Sequence, residues 1–360
     1  MVFSRIHIHG FRNLAVQEID LAPGFNFITG DNGSGKTSLL EAFYVLIRGR
    51  SFRSAITSHA IRLGESSLQV FARLDDPLED SVGFALGRKL REHHLSGVRI
   101  DSSLPVVQRF PVMLLHPPTF SLLDDTSRSR RQVFDWGVFH VEHAFLDDWR
   151  RYGRILTHRN HLLRSGCLLS SLASWNEGLV QYGQRIHIYR LSYFERLRPR
   201  FLDLCALLLP GIHLDLYYEK GWPDTQDLAT ALTSTLDKDC RLQHTHAGPH
   251  RADFGFLMND RPVKSFLSRG QIRMLLLAFM VAHVSVVQNL SAKSCLLLVD
   301  DLGSELDSRS YRLAFEVLRS LGIQTMMTSL SQPDWLSDAS LIQSSVFHVE
   351  HGTLSKATIL

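Results

Sequence analysis

The sequence contains no Cys-x-x-Cys pair: its four cysteines, Cys167, Cys205, Cys240 and Cys295, lie dozens of residues apart. That spacing excludes a zinc ribbon or a dithiol redox centre and fits a reducing compartment. No apolar run reaches the roughly 20 residues that a membrane helix needs. The most apolar stretch, Met274 to Val287, is shorter and carries His283 and Ser285, so it is expected to be a buried helix. The N-terminal MVFSRIHIHGFRN alternates apolar and polar residues, where a secretory signal would offer an unbroken apolar core of about 7–15 residues. No export and no membrane are expected, and the protein is read as cytoplasmic. A strong charge is missing too, since a net charge of +3 at pH 7 barely favours an acidic partner. Internal repeats and low-complexity stretches are absent.

What is present reads as α/β. Alternation or short apolar runs predict strands at Ser4–His9, Phe25–Thr29, Leu68–Leu74, Val82–Leu86 and Val112–Leu115. From about Ser127 to Leu209 the spacing changes to threes and fours, through Leu179, Tyr182, Ile186, Tyr189, Tyr193 and Leu197, and predicts helices until Pro199 interrupts the pattern. After His246 a helix near Gln271, a strand Cys295–Val299, a helix Ser308–Leu321 and strands Ile323–Thr328 and Ser345–Glu350 return to α/β alternation. The expected architecture is an α/β domain assembled from both ends of the chain, residues 1–125 and 241–360, with a mainly helical domain, 126–240, inserted between them.

Residues Gly30 to Thr37, GDNGSGKT, match G-x-x-x-x-G-K-[ST] directly after an apolar strand and before a helical segment that opens with Ser38. Glycines let successive backbone N–H groups, with the positive end of the helix, turn towards phosphate. In this loop Gly30, Asp31, Asn32, Gly33, Ser34 and Gly35 are expected to cradle a nucleotide with Ser38, Lys36 to supply charge to its outer phosphates, and Thr37 to offer a hydroxyl to Mg2+. No Asn-Lys-x-Asp follows, which weakens a guanine-nucleotide reading. In CLLLVDDLGSELD a buried strand runs into Asp300 and Asp301. Two carboxylates at one strand end repel unless a cation lies between them. Asp300 is therefore assigned to Mg2+ and Asp301, with Lys36, to catalysis. At Leu267 to Arg273, LSRGQIR, Ser268, Arg269, Gly270 and Gln271 surround a helix start, which makes either a second anion-binding corner or a plain helix cap.

Taken together, these segments resemble the ABC/SMC ATPases, and more closely the bacterial RecF family of DNA repair proteins. The resemblance rests on Phe11-Arg12-Asn13, GDNGSGKTSLLE from Gly30, GRSFRS from Gly49, Arg130-Arg131 with FDWG from Phe134, GPHR from Gly248, the LSRGQIR segment, and Leu296 to Asp307, in order along nearly the whole chain. It implies an ABC/SMC-type ATPase head that binds ATP, and a head-to-tail homodimer whose nucleotide is closed over by Ser268, Arg269, Gly270 and Gln271 of the other copy. It places Arg12 and Asn13 near the nucleotide, Asp307 at the dimer junction, and Thr328 where many transporter ATPases carry a switch histidine. Asp301 departs from the glutamate common at that position in ABC ATPases, so slow turnover is expected. By the same resemblance the partners are double-stranded and gapped DNA and the mediator proteins RecR and RecO, which place the RecA recombinase on gaps.

Between Arg128 and Arg200 stand thirteen arginines and no lysine against six acids, a surplus of seven that could neutralise DNA phosphates. Arg48, Arg50 and Arg53 form a further basic cluster, expected to line a DNA groove in a closed dimer. Two alternatives remain, an ABC transporter ATPase subunit and a small-molecule P-loop kinase. In the first the signature normally lies within roughly a hundred residues of the phosphate loop, whereas here more than two hundred separate Lys36 from Ser268. The second would need a lid and an acceptor pocket, which the sequence does not display. His7 and His9 alternate on a strand and read as structural residues rather than metal ligands.

Overall fold

The computed structural model describes residues 2–75, 80–117, 122–123, 126–165, 172–263, 266–331 and 343–357. Cys167 lies outside them; the other three cysteines are free thiols. The chain forms two compact units, one from Met1–Phe120 with Ala292–Leu360 and one from Ser121–Ser291. Residues 241–291, grouped with the C-terminal ATPase segment in the sequence reading, thus belong to the compact unit of the insertion.

The first unit opens with β1 (Phe3–His9), β2 (Gln17–Asp20), β3 (Phe25–Thr29) and α1 (Lys36–Arg48). Next come β4 (Ser67–Leu74), β5 (Ser81–Gly87), β6 (Arg91–Leu95), β7 (Val98–Ile100), α2 (Leu104–Arg109) and β8 (Val112–Leu115). One sheet has the order β2-β1-β4-β5-β6-β7 and is antiparallel throughout. Alternate residues of β4 are buried, as expected for a strand with one covered face.

The second unit contains α3 (Ser127–Val141), α4 (Phe145–Ser165), α5 (Ala173–Leu208), β9 (Leu214–Glu219), α6 (Leu228–Ser234) and α7 (Leu236–Leu242). It ends with β10 (Asp253–Met258), β11 (Arg261–Pro262) and α8 (Arg269–Ser291). The small antiparallel sheet β11-β10-β9 has no counterpart in the sequence reading. Helix α8 is long and apolar enough to cross a membrane, but 83% of its most apolar window is buried within the protein. It is the core helix expected from Met274–Val287.

Pro199 does not end the helix as predicted; α5 runs through it to Leu208. Proline in a helix interior costs about 3 kcal/mol. Beyond it, however, Phe201, Leu204, Cys205 and Leu208 are buried in continuation of the stripe that holds Leu197. At roughly 1.5–3 kcal/mol for each large apolar side chain, that burial outweighs the proline.

Returning to the first unit, the chain forms β12 (Leu296–Val299), α9 (Ser308–Arg319), β13 (Thr325–Thr328), β14 (Ser345–Glu350) and β15 (Thr353–Ala357). The second large sheet has the order β15-β14-β3-β13-β12-β8, parallel except for the β14–β15 hairpin. Strands β3, β12 and β13 are buried at every position, as expected for the centre of a parallel sheet; β12 is apolar throughout, while β3 and β13 also bury Asn26, Thr29, Thr325 and Thr328. Because these strands run the same way, the residues following β3, β12 and β13 emerge side by side at one edge.

Several arginines of the insertion serve its interior. The guanidinium of Arg159 is fully buried and donates to Asp239 at 2.8 Å, Thr245 at 2.7 Å and Asn176 at 2.8 Å. Arg190, equally buried, donates twice to Asp135 at 2.8 Å and once to the Pro249 carbonyl at 2.7 Å. Arg159→Met should therefore destabilise the protein by about 3–5 kcal/mol, because it leaves the buried carboxylate of Asp239 with only the main-chain N–H and ring of His246. Adding Asp239→Leu should recover most of the loss in urea unfolding. If the double variant is no more stable than Arg159→Met, the stranded charge is not the cause.

Candidate nucleotide site

The parallel strand order brings together segments that are far apart in the chain. Ile28 of β3 pairs with Thr328 of β13, and Val299 of β12 pairs with Met327 of β13 and Leu115 of β8. The loop after β3 and the acids after β12 therefore meet at the carboxyl edge of the sheet, where open α/β sheets bind ligands. An open cleft of about 600 Å³ lies there.

Gly30 (φ 143°) and Gly35 (φ 125°) adopt backbone conformations that side chains rarely tolerate. A Cβ on Gly30 would stand 2.3 Å from the Val349 carbonyl of β14. Gly35 caps α1, which follows with Lys36 and Thr37. Asn13 braces this loop: its amide donates to the Gly33 and Ser34 carbonyls at 3.1 Å each and accepts from the Ser38 hydroxyl at 3.0 Å. Lys36 Nζ donates to the carbonyls of Gly30 at 2.6 Å and Asp31 at 2.9 Å. Burial lowers its pKa, opposed by the charges of Asp301, Asp300 and Asp31.

Asp300 is buried, and its main-chain N–H donates to the Leu115 carbonyl at 2.7 Å. Its carboxylate accepts from Thr328 Oγ1 at 2.7 Å and from Thr37 Oγ1 at 3.0 and 3.1 Å. Burial raises its pKa and the charge of Asp301 adds to this, while the two threonine hydroxyls pull it back down. A carboxylate that resists ionisation next to a second one is suited to a cation, and the Thr37 hydroxyl adds an oxygen donor of the kind Mg2+ prefers. Among the described residues no cluster of three or more His, Cys, Asp or Glu forms. Asp301 has left-handed backbone geometry, φ 51° and ψ 51°, and its N–H donates to Thr328 Oγ1 at 3.0 Å. Thr328 thus joins both acids to the neighbouring strand.

Of the residues singled out from sequence, Asn32, Gly33, Gly35, Lys36, Thr37 and Ser38 line the cleft on the loop side. Arg12, Asn13, Asp300, Asp301 and Thr328 complete that set. Gly30, Asp31 and Ser34 shape the loop from behind, through its carbonyls and packing. Ser268, Arg269, Gly270 and Gln271 stand in the second unit at the start of α8. There Gln271 Oε1 accepts from the Ser268 N–H at 2.8 Å and Ser268 Oγ accepts from the Gln271 N–H at 3.3 Å, a reciprocal capping box. Asp307 caps α9, accepting from the Ser310 N–H and hydroxyl at 2.9 Å each.

Sequence reasoning missed Arg53 and Pro117 in the cleft lining. It also missed Gly352, whose N–H donates to the Ser34 carbonyl at 2.9 Å from the β14–β15 turn. The repeated arginines of GRSFRS were visible, but their direction was not.

The chain matches the family model described as RecF/RecN/SMC N terminal domain over residues 2–355. The DNA replication and repair protein RecF of Vibrio cholerae is 37% identical over 99% of this chain and all of the relative. The protein of the same name from Shewanella loihica is 34% identical over 99% of each chain. Among solved structures, that of the recombination mediator protein RecF with ATP in the RecFOR pathway matches at a TM-score of 0.85 and 25% identity, covering 99% of this chain and 98% of its own. The Smc head domain from Pyrococcus furiosus, at 15% identity and a TM-score of 0.63 over 99% of this chain and 96% of its own, shares the fold.

The raised pKa of Asp300 gives a signed expectation. A carboxyl with a folded-state pKa above its unfolded value contributes stability that is complete at low pH and lost as pH rises. Asp300→Asn should therefore match wild type in melting temperature near pH 4 and gain on it by a few degrees as pH rises to 7.5. Saturating Mg2+ and ATP should erase that advantage by stabilising wild type alone. Equal melting temperatures at both pH values would show that the buried charge carries no cost.

Proposed function

Since the chain belongs to the RecF family of DNA replication and repair proteins and has the ABC/SMC ATPase fold, we propose that it is an ATP-gated DNA clamp. ATP closes a homodimer on duplex DNA near single-strand gaps, and slow, DNA-stimulated hydrolysis releases it. The observation that carries this reading is the Thr37–Asp300–Thr328 cluster under the phosphate loop. In it the backbone of Gly30 to Gly35 and the positive end of α1 face the phosphates. Lys36 exchanges its two loop carbonyls for the outer phosphate oxygens. Thr37 and Asp300 would hold Mg2+, which when bound would supply charge neutralisation to those phosphates. Asp301 polarises the attacking water, and its short side chain reaches less far than a glutamate, which makes turnover slow.

The capping box supports a cross-subunit role for Ser268 to Gln271. The Ser268 Oγ uses a lone pair towards Gln271, so the hydroxyl proton stays available to a phosphate on the other copy, and the N-terminus of α8 adds its partial positive charge.

The arginine surplus supports DNA binding less broadly than its count implies. Arg159 and Arg190 are internal, and Arg130 and Arg198 are paired to Asp253 and Asp215. Arg150 is paired with Asp147, and the exposed Arg151, Arg154 and Arg164 leave positive charge along α4 for phosphates. The chain's partners in this reading are RecR and RecO, acting for the RecA recombinase in the cytoplasm; the RecFOR pathway in which one solved relative is a recombination mediator supports the first two.

Static light scattering tests the closure directly. Wild type should double its mass with Mg2+ and ATP but not with ADP. Ser268→Ala should bind ATP and stay monomeric, and Asp301→Asn should bind ATP and stay dimeric. A Ser268→Ala protein that dimerises like wild type removes the cross-subunit role of the signature segment.

A further inference from the structure

Glu41 lies on α1, five residues beyond Lys36, and its side chain is completely buried. An acid there needs strong partners, because an uncompensated buried carboxylate is among the costliest groups in a protein. It has them. Arg12 meets it edge to edge, Nε donating to Oε2 at 3.0 Å and Nη2 to Oε1 at 2.8 Å. The remaining arm of Arg12 donates to the His59 carbonyl at 2.7 Å, which fixes the whole guanidinium. Ser51 donates its hydroxyl to Oε1 at 2.5 Å and accepts the N–H groups of Arg53 and Ser54 at 2.9 Å each. The turn that carries Arg53 is therefore suspended from Glu41 through one hydroxyl. Arg53 itself reaches Glu41 only at 3.6 Å, and its side chain is 43% exposed. Both Arg12 and Arg53 line the cleft beside Lys36 and Asp300.

One carboxylate thus faces two guanidinium groups, and Arg12 already satisfies its charge. Arg53 is thus a second, more loosely held positive charge, half-exposed on the cleft where a polyphosphate would lie and near enough for its charge to act on Asp300. We propose that Glu41 is a positioning residue of the nucleotide site: it locks Arg12 and, through Ser51, sets Arg53 where its guanidinium meets the terminal phosphate of the bound nucleotide. This rests on the reading of the cleft as an ATP site. Glu41 itself touches no ligand. Its part is to convert a flexible arginine into a pre-oriented one, so that the ordering cost is met during folding rather than at binding.

The test is the ratio of ATP to ADP affinity, measured by isothermal titration with Mg2+ on wild type, Arg53→Ala, Glu41→Gln and the double variant, each with its melting temperature. Arg53→Ala should lower the ratio about tenfold, the size of one charge-assisted hydrogen bond. Glu41→Gln should lower it by a similar factor, and the double variant should lose no more than either alone, as expected for residues acting as one unit. Should Glu41→Gln fail to fold, Ser51→Ala, which cuts the suspension and leaves the Arg12 pair intact, should lower the ratio in the same direction. Variants that melt earlier but keep the wild-type ratio would show that Glu41 is structural only, and would overturn the proposal while leaving the ATP site standing. Wild type that binds neither nucleotide would overturn the ATP site and this proposal together.

Discussion

Asp300 is a carboxylate placed where water hardly reaches it, at the end of a strand buried over its whole length. Two threonine hydroxyls, Thr37 from the phosphate-loop helix and Thr328 from the next strand, converge on it. They are separated by most of the chain, and only the parallel order β3-β13-β12 sets them side by side. That ordering in turn requires β3 to be a central strand and the chain's last third to return beside its first. The insertion can be long because it packs as a compact unit of its own. The cluster is therefore both the result of the topology and the reason two distant sequence segments form one cleft.

How legible this was depended on what kind of information each feature needs. The ranges of β3, β8 and β14 follow from local apolar runs and match the structure residue for residue. The phosphate loop was equally plain, because its glycines are required by backbone geometry rather than by distant contacts. Pro199 misled because the local proline penalty was weighed without the apolar stripe that continues after it. The β9–β10–β11 sheet went unread because its strands sit among helices and one of them, β11, spans only two residues. The hub at Glu41 could not have been found from spacing: Arg12, Glu41, Ser51 and Arg53 meet only through tertiary structure, and a buried glutamate in a helix reads from sequence as a solvated one.

The arginines show the same limit in charge rather than shape. A count over Arg128 to Arg200 treats every side chain as available to a partner, while the fold buries two of them in ion pairs and binds others to nearby acids. Removing one partner of such a buried pair is costly, because the other is left without its counter-charge. The exposed charge left over is spread over α3, α4 and α5, at Arg128, Arg151, Arg154, Arg164 and Arg196, and is smaller than the count implies. In the signature segment, by contrast, the two readings are compatible. Ser268 and Gln271 do cap α8, and the same geometry leaves a hydroxyl proton and a helix terminus for an anion.

The central claim, that ATP closes a dimer on DNA, is tested most directly by steady-state ATP turnover over a range of protein concentrations, with and without gapped duplex DNA, at low and moderate salt. Slow turnover that rises faster than linearly with protein and is stimulated by the DNA is the expected result. Turnover per molecule that ignores both concentration and DNA would contradict it and point to a monomeric enzyme.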